Sequence, residues 1–356
     1  FSIGSEFRVE DLKKIGKQAF VIGVFQAIAA TICVDLALIA VYYALPGKIS
    51  VPQILVLGAI ATATAPAATL MVVRQYKAKG PLTKLLLPIV ALDDAVGLIV
   101  FAICSGIAKV IGSGQVELVS IIVNPILEIV CSLVLGAVMG YLFTFCEKFF
   151  HSRSKRLAMS VTFVFLTVSL SMLKFEIGGV HVAFSSLLSC MMLGTVFCNI
   201  CDFSEELMDR VDRWTAPLLI LFFVISGAEL DLSVFKNWVY IVIGVAYIVF
   251  RCIGKYFGAR FSAKASKCDD NIVKYLGITL LPQAGVALGM ASKAIELGTD
   301  GTIVRNITLF AVLIYEIVGP YLTKLALTKA GDIKPEEKRS TREEIKKQLV
   351  ENGLIN

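Results

Sequence analysis

Apolar runs near 20 residues recur about ten times along the chain, separated by short polar stretches. Each is the length an α-helix needs to cross roughly 30 Å of hydrocarbon, and only structures that satisfy their own backbone hydrogen bonds survive there. The pattern predicts an all-α, polytopic membrane protein with spans at about 19–45, 53–73, 82–105, 118–145, 157–173, 179–199, 215–228, 237–258, 274–292 and 305–326. Two runs carry their own interruption. GAIATATAPAAT at 58–69 places Thr62, Thr64 and Pro66 in mid-membrane, and LLPQAGVALGM at 280–290 follows Thr279 with Pro282, Gln283 and Gly285. Proline cannot donate its backbone hydrogen bond and a threonine hydroxyl can cap freed groups, so a continuous helix is not expected at either place. Hydroxyl oxygens and released carbonyls are the oxygen ligands a hard monovalent cation takes.

The third span buries two consecutive acids, Asp93 and Asp94, between Leu85–Leu92 and Ala95–Cys104. A carboxylate at that depth costs several kcal/mol and normally faces a protein-lined route for an ion or a proton. Side chains one residue apart on a helix point about 100° apart, so one acid can line the route while the other meets a neighbouring helix. Two close carboxylates titrate as a coupled pair. An acid that holds either a cation or protons, never both, supplies the competition an exchanger needs. Arg251, about 14 residues into the eighth span, is expected to pair with Asp93 or Asp94, because a buried guanidinium stays charged. Lys255, one turn on, is expected to snorkel to the interface. Glu316, deep in the tenth span, is a possible secondary acid.

An internal repeat strengthens the picture. Gly4–Lys13 and Gly227–Lys236 share glycine, glutamate and lysine at an offset of 223 residues, and the same offset pairs Asp93 with Glu316. After both segments come an uninterrupted span, a proline-interrupted span and a span with a buried acid. The units begin an odd number of spans apart, so they point in opposite directions, as the inverted repeats of secondary transporters do. The first unit lacks the upstream span its copy has. With Phe1 in place of an initiator Met, this predicts that N-terminal spans are missing from the sequence.

Composition adds class and orientation. The 356 residues are 57% hydrophobic and 17% charged, too few charges for the surface of a soluble domain. The +6 formal charge is not a nucleic-acid signal, because lysine and arginine fall on alternate inter-span loops. Alternation from the basic lead-in puts Arg74, Lys77, Lys79, Lys148, Arg153, Arg260, Lys264 and Lys267 on one side, which the positive-inside rule makes cytoplasmic. The charged tail then lies on that side too. This divides the chain into a transmembrane domain at 1–328, with a core near 53–105 and 271–327, and a cytoplasmic tail at 329–356. The nine cysteines show no paired ligand spacing, His151 and His181 are too few for a metal centre, and no P-loop, GxGxxG or Ser/His/Asp arrangement exists. No cofactor is expected, and an enzyme loses support.

LDDAVGLIVFA at 92–102, GAIATATAPAAT at 58–69, FRCIGKYFGA at 250–259 and LLPQAGVALGM together resemble the bacterial sodium/proton antiporters of the monovalent cation:proton antiporter-2 superfamily, over essentially the whole chain. The resemblance implies an inverted-repeat antiporter fold with two crossed broken helices, a homodimer in the bacterial inner membrane, and Na+ (or Li+ or K+) exchanged for H+. It assigns the principal cation and proton site to Asp94, to which the chemistry of the residues adds Asp93 and the Thr62 hydroxyl as further oxygens for the transported cation. It makes Asp93 the partner of the basic residue on span eight, matched by Arg251 where many relatives carry lysine. A double aspartate in relatives goes with electrogenic exchange of two protons for one sodium. The alternative is a gated potassium efflux channel or transporter, although its relatives usually carry a nucleotide-binding domain for which the tail has no room.

Overall fold

The computed structural model describes residues 1–5, 16–112, 118–150, 152–173, 175–177, 180–182, 184–228 and 236–333. Thirteen helices in these residues are α1 (Ser2–Ser5), α2 (Lys17–Ala44), α3 (Val51–Ile60), α4 (Pro66–Gln75), α5 (Pro81–Gly112), α6 (Leu118–Glu147), α7 (Arg153–Ser171), α8 (Ser186–Ile200), α9 (Ser204–Ala228), α10 (Trp238–Ala265), α11 (Asp270–Thr279), α12 (Gly285–Ala294) and α13 (Thr299–Ala330). Helices α2, α5, α10 and α13, and the stretch Ile126–Glu147 of α6, are long and apolar enough to cross a membrane on their own. Their outer faces are apolar as well, with Leu36, Val245 and Ile317 exposed, as helices that meet lipid require.

Both interrupted runs are helix pairs. Their lengths repeat: α2, α3, α4 and α5 have 28, 10, 10 and 32 residues, and α10, α11, α12 and α13 have 28, 10, 10 and 32. Contacts at the ends fix the direction of each copy. The Gln18 amide at the start of α2 donates to the carbonyl of Ser266 just after α10, 2.8 Å away. The start of α5 meets the end of α13: Asp332 accepts from the Thr83 N–H at 2.6 Å and its hydroxyl at 2.7 Å. The opposite end of α5 reaches the start of α13 through Lys109 and Glu296, 3.1 Å apart. Helices α2 and α10 are therefore antiparallel, and so are α5 and α13. Ser50 and Gln53, which form a capping box at the start of α3, both bond Asp300 at the start of α13. The second unit is thus an inverted copy of the first. The ends of α2 and α5 near Lys17 and Pro81 define one face of the molecule, side A, and those near Ala44 and Gly112 the other, side B.

The register differs from the sequence expectation. Element starts are offset by 221, 219, 219 and 218 residues, from Lys17 to Trp238, Val51 to Asp270, Pro66 to Gly285 and Pro81 to Thr299. The 223-residue offset rested on Gly4–Lys13 and Gly227–Lys236, most of which lie outside the described residues. In the register of the helices Asp93 matches Ala311, and its pairing with Glu316 does not hold.

Two further differences have local causes. A two-stranded antiparallel ladder, Phe175–Ile177 (β1) on Val180–Val182 (β2), stands between the predicted fifth and sixth spans, so the sixth helix starts at Ser186. Aromatic and β-branched residues flank Gly178-Gly179 there, a hairpin pattern within an apolar run. The charged connector before span seven is helical from Ser204, with Glu205 and Glu206 in the first turn, where the helix dipole favours them.

A second bundle packs α6, α7, α8, α9 and the short α1 around Phe143, Leu193 and Phe197, with the Phe143 and Phe197 rings 4.5 Å apart. The most extensive helix seam among the described residues is between α2 and α10. A methyl group on Gly254 would lie 2.7 Å from the Ala30 Cα, and one on Gly258 2.8 Å from the Ala29 Cβ. Small residues four apart let two membrane helices approach backbone to backbone. Gly254→Ala should therefore lower stability by about 1–3 kcal/mol through overpacking. Gly244→Ala, which meets nothing within 4 Å, should be neutral or slightly stabilising. Thermal unfolding of the two variants in detergent checks the contrast.

Candidate functional site

Two helices that stop inside the molecule leave carbonyls that lipid cannot satisfy, and their partners can be traced one by one. Helix α3 ends at Ile60 and α4 resumes at Pro66, whose missing N–H suits the first position of a helix. Helix α11 ends at Thr279 and α12 resumes at Gly285. The two breaks cross. The Ala65 N–H donates to the Pro282 carbonyl at 2.9 Å, and the Gln283 amide donates to the Ile60 carbonyl at 2.9 Å and to the Tyr247 hydroxyl at 2.9 Å.

Four more of these carbonyls are held by two cations on α10. Arg251 is fully buried and donates from Nε to Ala61 O (3.1 Å), from Nη2 to Ala63 O (2.6 Å) and from Nη1 to Leu281 O (2.8 Å). Its guanidinium also lies 4.5 Å from the centre of the Tyr315 ring. Among the described residues no carboxylate lies within ion-pair distance of it. The expected pairing of Arg251 with Asp93 or Asp94 is corrected for a physical reason. Helices α3 and α11 point their negative C-terminal ends at one place, and a planar fork of five N–H donors meets both ends at once.

The amine that pairs with an acid is Lys255, expected at the interface but fully buried. Its Nζ lies 2.5 Å from Asp93 Oδ2 and 3.0 Å from Thr64 Oγ1, and it also donates to the Thr62 carbonyl. Asp93, also fully buried, accepts from the Thr64 hydroxyl and, on Oδ1, from the Gln26 amide at 2.6 Å. Asp94 is 1% exposed and close enough to Lys255 for their charges to interact. The Thr62 hydroxyl donates to Ala59 O at 2.7 Å, and its oxygen faces α5 at Gly97, where an added methyl would come within 2.6 Å of it. Gly97 lies one turn from the acid pair.

Asp93, Asp94, Thr62, Thr64, Pro282, Gln283 and Arg251 are thus brought together at the crossing. Thr279 is buried, but its hydroxyl turns back to Leu276 O at 2.7 Å within its own helix. Glu316 is not part of the group; it is exposed on α13 in a row with Leu313, Ile317 and Tyr321. Gln26, Tyr247 and Lys255 are at the crossing without having been expected there. Gln26 is a rare amide in an apolar run, and Lys255 lies four residues from Arg251, hence on the same helix face. That spacing was the available signal.

Comparison with known proteins bears on the family and the fold. A family model described as sodium/hydrogen exchanger, transmembrane, matches residues 1–329. The chain is 22% identical over 319 residues to the high-affinity Na+/H+ antiporter NhaS3 of Synechocystis sp., covering 85% of this chain. It spans just under two thirds, 65%, of the length of that relative. In fold it is similar to the sodium proton antiporter MjNhaP1 from Methanocaldococcus jannaschii, with a TM-score of 0.68 and 19% identity over 92% of this chain and 82% of that one.

Arg251→Ala should destabilise the protein strongly, since each carbonyl left without a donor costs about 1–3 kcal/mol. Arg251→Lys should recover only part of the loss, because one ammonium cannot meet three carbonyls on two helices. Melting temperatures of the three proteins test this; equal melting of wild type and Arg251→Ala would contradict it.

Proposed function

We propose that this chain, which belongs to the sodium/hydrogen exchanger family, is the transport core of a secondary antiporter that exchanges a monovalent cation, Na+ before Li+ or K+, for H+ by alternating access. The observation that carries the reading is the buried pair of Asp93 and Lys255 beside a second buried carboxylate, Asp94, where two interrupted helices cross. Sites at the midplane between inverted repeats, formed by discontinuous helices, are how secondary transporters hold their ions.

In this reading a cation reaching Asp94 takes the place of the proton that carboxyl holds, with the Thr62 oxygen and Asp93 completing its oxygen shell. Drawing Asp93 to the cation loosens the grip of Lys255. An amine freed from its carboxylate can lose a proton, whereas a guanidinium hardly can. Because the residue facing Asp93 is a lysine, the reading allows a second transported proton. Two protons against one cation move one net charge, worth roughly 2.3 kcal/mol per 100 mV of membrane potential. Positioning falls to Arg251, Gln283 and Tyr247, which hold the two breaks together and keep the crossing in register.

Orientation belongs to the same proposal. Side A collects Lys17, Lys77, Lys79, Lys84, Arg260, Lys264, Lys267, Lys274, Lys324 and Lys329, and side B has Lys48, Lys109, Lys236, Lys293 and Arg305. That asymmetry supports a cytoplasmic side A, with residues 1–328 as the transmembrane domain and the tail from 329 beside it in the cytoplasm. Homodimerisation and residence in a bacterial inner membrane complete the reading. No observation favours a channel, and Glu316, exposed on α13 and turned away from the crossing, is given no part in the exchange.

Asp94→Asn should abolish cation-driven proton flux in proteoliposomes while the protein still folds, since an amide can take up neither a proton nor a cation's charge. Flux measured with sodium, lithium and potassium in turn, at clamped voltage, identifies the cargo. Near-normal exchange by Asp94→Asn would overturn the assignment.

A further inference from the structure

Helix α2 carries an acid that the exchange site does not use. Asp35 lies nine residues beyond Gln26, the residue that holds Asp93, and therefore on the side B half of the core. Its neighbour on α5 is Cys104, ten residues past Asp94 or about 15 Å along the helix axis. On α3 its Oδ1 fills the hollow left by Gly58: a methyl group there would fall 1.9 Å from that oxygen. Oδ1 is sealed from solvent and has no hydrogen-bond partner. Among the described residues no lysine or arginine lies within ion-pair distance of it.

The surroundings are short of other charge. Of the helices packed on α2, α3 has no titratable residue, α5 presents Cys104, and the side B half of α10 carries Tyr240, Tyr247 and Arg251, of which Tyr247 is bonded to Gln283 and Arg251 to three backbone carbonyls. On α2 itself Cys33 is two residues away, with Tyr42 and Tyr43 toward the end of the helix. Lys109, farther along α5, is engaged by Glu296.

A carboxylate oxygen held in an apolar cleft without a donor needs a positive charge placed on it. A hard cation needs oxygens from several groups to replace its water, and this cleft offers a single carboxylate, both of whose oxygens lie by Gly58, and a sulfur. A proton needs only the one. We propose that Asp35 is a second protonation site of the transport core, set between the acid pair and side B, where it takes up protons on their way to or from Asp93 and Asp94. Gly58 is what makes room for it. The assignment rests on the antiport reading for its role in transport, but not for its existence.

Infrared spectroscopy of the purified full chain separates the two. Wild type should show a pH-titrating carboxylic-acid carbonyl band that Asp35→Asn lacks, and Asp94→Asn, inactive in exchange, should keep it. Gly58→Ala, which crowds the same oxygen while leaving the acid in place, should shift that band. In proteoliposomes with pH varied on one face at a time, Asp35→Asn should move the half-activating pH on side B by about one unit or more and leave side A unchanged. Identical infrared titrations for wild type and Asp35→Asn would overturn the site. An Asp35 band with no pH shift on side B would overturn its place in transport. Absence of exchange in wild type alongside a normal Asp35 band would count against the antiport reading alone.

Discussion

Interrupting a helix inside a membrane exposes carbonyl dipoles that nothing in lipid can satisfy, and this chain does it twice at one point. Everything at the centre of the molecule follows from how those dipoles are met. Arg251 bonds three carbonyls from both breaks, Gln283 bonds a fourth, and the Ala65 N–H takes the Pro282 carbonyl. The two half-helix ends and one guanidinium offset one another, so Arg251 needs no acid of its own at the crossing.

That division of labour leaves the acids for other work. Asp93 has only a lysine to hold it, together with a hydroxyl and an amide, and Asp94 lies beside them out of contact with solvent. A lysine pair is looser in its demands than a bidentate arginine pair: the ammonium is a point charge on a flexible stem and can give up its proton. One helix face thus carries both a fixed cation and a dischargeable one, four residues apart. The glycines of α10 let α2 come close enough for Gln26 to reach the same carboxylate.

Much of this was legible from the chain. The apolar runs gave the helices because membrane length leaves few alternatives, and Pro66 and Pro282 marked the breaks because proline cannot complete a helical ladder. The inverted repeat was legible as an order of elements but not as a register. The similarity at Gly4 and Gly227 suggested 223 residues, whereas the helices start 218 to 221 residues apart, which moves Glu316 off the acid pair. The partner of the buried arginine was misread because sequence shows acids and hides carbonyls. Freed backbone oxygens carry no signature beyond the break that frees them, so an acid was invoked where two helix ends sufficed. The ladder at 175–182 was hidden within apolar runs that read as helix.

In the proposed exchange a metal cation and protons occupy the Asp93–Asp94 locus in turn. Calorimetric titration of the purified protein with sodium, in buffers of different ionisation enthalpy, tests it without any assumption about conformational change. The account predicts a binding heat that varies with the buffer, because protons leave as the cation enters, and loss of that dependence in Asp94→Asn. Sodium binding whose heat is the same in every buffer would contradict it.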